Sequence, residues 1–215
     1  MQIENHKEEV PFAHYEELFR AADPAQITAR LGDIYRDGEF HITLLGTAYA
    51  IAHPDYAIHI EKSPPCLKGG GCESSRGDTV PPLPTQTFLL RYLLEGSRTP
   101  WNGQWLTFRE MPWGELYIKP YTGRVLTRAA WTFGPRLDAF RKASEALGAD
   151  SVPHGDAGYR FQLLPGLYMQ ILAWEPDEEF PPNAQVLYSD NFQSMAAEDR
   201  VVAGDILIST IKAHM

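Results

Sequence analysis

Hydrophobic positions along this chain change period several times, and each change marks an element. Over residues 11–22, Phe12, Tyr15, Leu18, Phe19 and Ala22 recur at helical spacing and predict an amphipathic helix with those side chains turned inward. Asp23-Pro24 then reads as an N-cap followed by proline at the first helical position. It opens a short helix that carries Ile27 and Leu31 and stops at Gly32. From Gly38 the period falls to two. Phe40, Ile42 and Leu44, then Tyr49 and Ile51, then Tyr56, Ile58 and Ile60 predict three antiparallel strands in a meander, with turns at Gly46-Thr47 and Pro54-Asp55. TQTFLLRYLLE (85–95) is apolar nearly all round and predicts a buried helix closed by a glycine cap at Gly96. Residues 104–110 and 115–121 predict a strand pair across Pro112-Trp113-Gly114. A helix over 135–147 places Leu137, Phe140, Ser144 and Leu147 on one face and stops at Gly148. Strands 158–164 and 167–174 flank Pro165-Gly166. A last helix begins after Ser194, with Glu198 and Asp199 suited to its N-terminal dipole and Val201, Ile208 and Ile211 facing inward. Strands and helices come in clusters and do not alternate strictly. The expected fold class is therefore α+β: antiparallel sheets packed by several helices, in a single compact domain over residues 1–215.

One segment breaks the periodic pattern. Residues 63–84 hold five prolines and four glycines, and their apolar side chains besides the cysteines are Leu67, Val80 and Leu83. A long aperiodic stretch inside a compact domain is either a functional loop or a poorly ordered one.

Composition narrows the function. The 215-residue chain is 44% hydrophobic and 12% aromatic, enough to build a core and too much for a disordered chain. Its net charge of −9 argues against nucleic acid as the main partner, because phosphate recognition needs clustered Lys and Arg. No apolar run approaches the ~20 residues of a membrane span. The opening MQIENHKEEV is polar and acidic, unlike a signal peptide, so the expected location is the cytoplasm.

Four places carry candidate chemistry. Cys66 and Cys72 flank LKGGG, a spacing that would let two thiolates share a soft metal or close a small ring; a plain loop is the competing reading. Asp177-Glu178-Glu179 lies between Trp174 and Phe180, two large apolar side chains that usually seek burial. The cluster would hold a hard cation or supply an acid/base carboxylate, against the reading of a solvated turn after a strand. Arg109 ends the expected 104–110 strand, where it would clamp an anionic ligand or pair structurally with Asp177 or Glu178. His154-Gly155-Asp156 reads as a surface turn, since no nucleophile elbow of the Gly-x-Ser-x-Gly kind occurs.

Three blocks carry a resemblance: TQTFLLRYLLEG (85–96), GQWLTFREMPWGELY (103–117) and GDAGYRFQLLPGLYMQILAWEPDEEFPPNAQVLYSDNF (155–192). In this order they resemble the bacterial and archaeal family catalogued as domain of unknown function 3786. Relatives in that family are often joined to a small cysteine-rich iron–sulfur domain of the kind found in corrinoid iron–sulfur proteins. This chain has no four-cysteine motif, so any such link acts through the shared domain alone. The resemblance implies a non-enzymatic binding or accessory domain with a corrinoid or other tetrapyrrole as cofactor, or an iron–sulfur or corrinoid protein as partner. The expected ligand-binding residues are Tyr92, Trp105, Arg109, Trp174, Asp177, Glu178 and Phe180, with Cys66 and Cys72 as a weaker metal or redox pair. An enzyme with a polar Arg109–carboxylate cleft and a partner-docking domain are the alternatives.

So little apolar surface in 63–84 barely offsets an ordering cost of ~1–2 kcal/mol per residue. Limited proteolysis should cut first between Gly69 and Ser75 and leave the flanking parts associated. Protection of that stretch in the reduced, metal-free protein would contradict the expectation. Protection that appears only with metal or under oxidising conditions would make Cys66 and Cys72 a site.

Overall fold

Asp23 accepts a hydrogen bond from the backbone N–H of Ala25 (2.9 Å) and so caps the helix that Pro24 begins. Such local signals hold through most of the computed structural model, which describes residues 6–62 and 80–215. The class is α+β with two antiparallel sheets packed by helices. The described residues group into two compact units, one carrying the first three helices and the first sheet, the other the remainder.

The first unit contains α1 (His6–Ala21), α2 (Pro24–Leu31), β1 (Tyr35–Arg36), β2 (Glu39–Leu44), β3 (Thr47–Ala52), β4 (Ile58–Lys62) and α3 (Leu83–Glu95). Its sheet is a meander in the order β1-β2-β3-β4. The first turn, Asp37-Gly38, and the second, Leu45-Gly46, have both central residues at positive φ, the conformation that matches hairpin twist. Phe19, Phe40 and His53 pack edge to face at 5.1–6.0 Å, and His53 Nε2 lies 3.1 Å from the Phe19 carbonyl. Leu18 departs from expectation: 44% of it is exposed, because the buried stripe runs through Phe19 and Leu18 lies a third of a turn away. Helix α3 starts at Leu83, so the last residues assigned to the 63–84 loop are helical, with Pro84 in the first turn where a missing N–H costs nothing. Gly96 closes α3 in an extended conformation, not a left-handed one. Glycine is required there by space: a Cβ would sit 2.4 Å from the Tyr92 carbonyl oxygen. Arg30 donates to the carbonyls of Leu93 and Gly96, placing a cation on the negative end of α3.

The second unit contains β5 (Trp105–Thr107), α4 (Gly114–Tyr121), α5 (Arg128–Phe133), α6 (Leu137–Ala146), β6 (Asp150–Ser151), β7 (Ala157–Leu164), β8 (Leu167–Trp174), β9 (Asn183–Ser189) and α7 (Ala197–Ala213). Its sheet runs β5-β9-β8-β7-β6. The expected strand pair over 104–110 and 115–121 is not formed. Only 105–107 is extended, and its partner is β9, which sequence reading passed over. Thr107 and Glu110 form a reciprocal capping box that turns the chain into a 3-10 helix at Phe108–Glu110. Residues 114–121 are helical, and the helix widens to a π-type segment over Thr122–Thr127 just after Pro120 has removed the donor for the Leu116 carbonyl.

Register decides which face of this sheet meets the helices. Leu106 lies opposite Tyr188, Tyr188 opposite Met169 and Met169 opposite Phe161; Val186, Ile171 and Tyr159 form the next row. All but Leu106 are buried, and α5 and α6 pack against β7, β8 and β9. Helix α7 is tied in by Arg200. Its fully buried guanidinium donates to the carbonyls of Pro112 and Ala196 and lies 5.4 Å from the Phe108 ring. Tyr188 donates to the Arg200 carbonyl (3.1 Å), and Tyr121 stacks on Phe108 at 4.0 Å.

Burial raises the hydroxyls of Tyr121 and Tyr188 well above the ordinary tyrosine value. An unfolded chain releases these protons near pH 10 while the native protein keeps them, so the stability they carry is present below about pH 10 and is lost as pH rises through it. Denaturant midpoints should fall between pH 9 and 11. Tyr121→Phe, which removes a hydroxyl buried without an aligned partner, should leave the pH 7 midpoint nearly unchanged and make that fall shallower. An equally steep fall in the variant would contradict the assignment.

Candidate functional site

The face of the second sheet opposite Tyr188 and Met169 carries an aromatic group of a different kind. Alternation along β5 and β8 places Trp105 and Tyr168 there, opposite Ser189 and Gln162 respectively. Trp101, from the segment leading into β5, completes a trio. Its ring lies 5.0 Å from Trp105, edge to face, and 5.2 Å from Tyr168. All three are half-buried. Arg160 on β7 sits over the Tyr168 ring at 5.8 Å and bonds Asp150 Oδ2 through both Nε (3.2 Å) and a terminal nitrogen (2.7 Å). The Gln162 side chain lies 3.3 Å from the Tyr168 hydroxyl.

The trio is held by three small polar residues at the end of β9: Ser189, Asp190 and Asn191, all buried. Asp190 Oδ1 accepts from the backbone N–H of Asn102 (3.1 Å), and the Asp190 N–H donates to the Gln104 carbonyl (3.1 Å). The Trp101 indole N–H donates to that same carbonyl (2.9 Å). Ser189 Oγ accepts from the Tyr168 N–H (3.0 Å) and donates to Asn191 Oδ1 (2.6 Å). Asn191 Nδ2 donates to the Gly166 carbonyl (2.8 Å), which fixes the β7–β8 turn. A satisfied buried network of this kind rigidifies what it touches. Here it touches the backbone on either side of half-exposed rings, which is how a first contact surface is positioned in advance of a ligand.

The residues expected from sequence fall in several places. Trp105 belongs to the trio. Tyr92 is buried in α3 of the first unit, where burial raises its hydroxyl and Arg98 opposes the shift. Arg109 lies in the 3-10 turn, not at a strand end, and pairs with Glu115 at 3.0 Å, both largely exposed. That places its ion pair on a residue other than Asp177 or Glu178. Asp177 closes its own turn: Oδ1 accepts from the N–H groups of Glu179 (2.8 Å) and Phe180 (2.7 Å), and its N–H donates to the Phe180 carbonyl. Asp177, Glu178 and Glu179 are exposed, Trp174 is half-buried, and Phe180 is 65% exposed rather than inward. His154 is exposed in a turn, and Asp156 accepts from the Glu175 N–H (2.9 Å) as a structural link. Cys66 and Cys72 lie outside the described residues. Among the described residues, no group of three or more His, Cys, Asp or Glu side chains is placed to hold a metal.

Sequence reading missed Trp101, Tyr168, Arg160 and the Ser189–Asn191 run. A run of Ser, Asp and Asn directly after an alternating strand was the available signal, since these side chains bond nearby backbone.

A family model described as a domain of unknown function (DUF3786) matches residues 23–210. No curated protein and no solved structure matches the chain.

Asp190→Ala should destabilise the protein by about 1 kcal/mol, the loss of the part-buried bond to the Asn102 N–H, and shift tryptophan emission to the red. Glu178→Ala should stay within about 0.5 kcal/mol. Chemical denaturation followed by fluorescence measures both, and equal effects would contradict the assignment of the network.

Proposed function

For a chain that belongs to the family described as domain of unknown function 3786, we propose a non-enzymatic binding role, with Trp101, Trp105 and Tyr168 as the surface that stacks against a ring-bearing ligand. One observation carries this reading: a buried polar network is committed to the backbone that presents three half-exposed aromatic rings. The ordering cost that weakens binding by mobile aromatic side chains is then met during folding. The enzyme alternative draws less support, because Arg109 pairs with Glu115 and Asp177 closes its own turn. A corrinoid or other tetrapyrrole is the finer ligand class implied by the sequence resemblance. This reading goes with a cytoplasmic location and with no role in nucleic-acid binding. Among the described residues, no helix is long and apolar enough to cross a membrane.

A second reading, partner docking, is favoured by the exposure of Trp113 (69%), Leu116 (72%) and Trp131 (61%) on and beside α4 and α5.

The indole N–H resonances of the tryptophans separate the two. A set of ring-bearing small molecules that includes hydroxocobalamin should shift Trp101 and Trp105 and leave Trp113 and Trp131 in place. Visible spectra recorded with hydroxocobalamin and with haem test the tetrapyrrole class directly. Shifts confined to Trp113 and Trp131, or none with any compound, would overturn the binding reading.

A further inference from the structure

The polar groups beside the aromatic trio select among ligand chemistries, and this inference rests on the binding reading above. Gln162 is exposed, and its uncharged amide, with both donor and acceptor atoms, lies against the Tyr168 hydroxyl. Among the described residues, the cation in contact with these rings is Arg160. Its Nε and one terminal nitrogen are both committed to Asp150 Oδ2, and its Cζ lies 5.8 Å from the Tyr168 ring centroid. A phosphate or carboxylate arriving here would meet a guanidinium already neutralised, the Asp150 carboxylate itself, and a chain of net charge −9.

An uncharged ligand meets none of these penalties. The surface offers apolar ring faces at the centre and the Gln162 amide and Tyr168 hydroxyl at the edge. The matching ligand has a patch of C–H groups on one face and hydroxyls around its rim. A pyranose ring has both: axial hydrogens stack on an aromatic face, and equatorial hydroxyls donate to and accept from amides. The edge-to-face arrangement of Trp101 and Trp105 presents rings at 64° to each other, which suits a non-planar chain of sugar units better than a single flat plate. We infer that the Trp101–Trp105–Tyr168 surface binds uncharged carbohydrate.

Native electrophoresis through gels containing hydroxyethyl cellulose, soluble starch or galactomannan tests this on the whole chain, with heparin as the anionic counterpart. At least one neutral polysaccharide should retard the protein, and heparin should not. Trp105→Ala should weaken the retardation about tenfold, the loss of one stacking ring. Gln162→Leu, an exposed change that leaves the core untouched, guards against a Trp105 variant that fails to fold, and should weaken it as well. Retardation by heparin alone, or retardation undiminished in both variants, would overturn the inference. If no neutral polysaccharide retards the protein while hydroxocobalamin shifts the Trp101 and Trp105 indoles, the ligand class is wrong and the binding reading stands. If no compound of either kind perturbs those indoles, both fail.

Discussion

Four consecutive residues, Tyr188 to Asn191, tie the second unit together. Tyr188 reaches one face of the sheet and donates to the Arg200 carbonyl, which anchors α7. Ser189 turns to the other face and holds the backbone of Tyr168. Asp190 secures the segment bearing Trp101, and Asn191 secures the turn between β7 and β8. Strand alternation makes this possible, since neighbouring residues point to opposite faces and one short run can serve both. All four are buried, so each unmade bond would carry the full desolvation cost of its polar group, roughly 1–3 kcal/mol. The helical layer and the aromatic surface are thus held from a single run of chain.

That arrangement explains why the site is aromatic and polar rather than acidic. The carboxylates of Asp177, Glu178 and Glu179 are exposed, and Asp177 does the work of a turn. The rings of Trp101, Trp105 and Tyr168 are different: their backbone is held by bonds to the buried Ser189–Asn191 run.

Much of the fold was legible in the sequence. Asp23-Pro24 at the start of α2, a turn at Gly46 between β2 and β3 (one residue earlier than the expected Gly46-Thr47), Pro165-Gly166 between β7 and β8, and the spacing of Leu137, Phe140 and Ser144 in α6 each act over a few residues, where local rules suffice. The misreadings share a cause. Residues 104–121 alternate like strands, but the Thr107–Glu110 capping box and the helix starting at Gly114 were stronger than that short alternation. Strand β9 was hidden behind the Asp177–Phe180 turn and two prolines. The candidate site was legible only at Trp105. Trp101, Tyr168 and Asp190 are 22 to 89 residues apart in sequence, and the register of β5, β9 and β8 is what brings them together.

The bonds from Ser189 to Asn191 should fix the rings before any ligand arrives. Side-chain relaxation of the indole N–H groups in ligand-free protein measures this directly. Trp101 and Trp105 should be ordered on the picosecond-to-nanosecond timescale to nearly the degree of the backbone, while Trp113 and Trp131 move freely. Indoles at 101 and 105 as mobile as those at 113 and 131 would contradict the account.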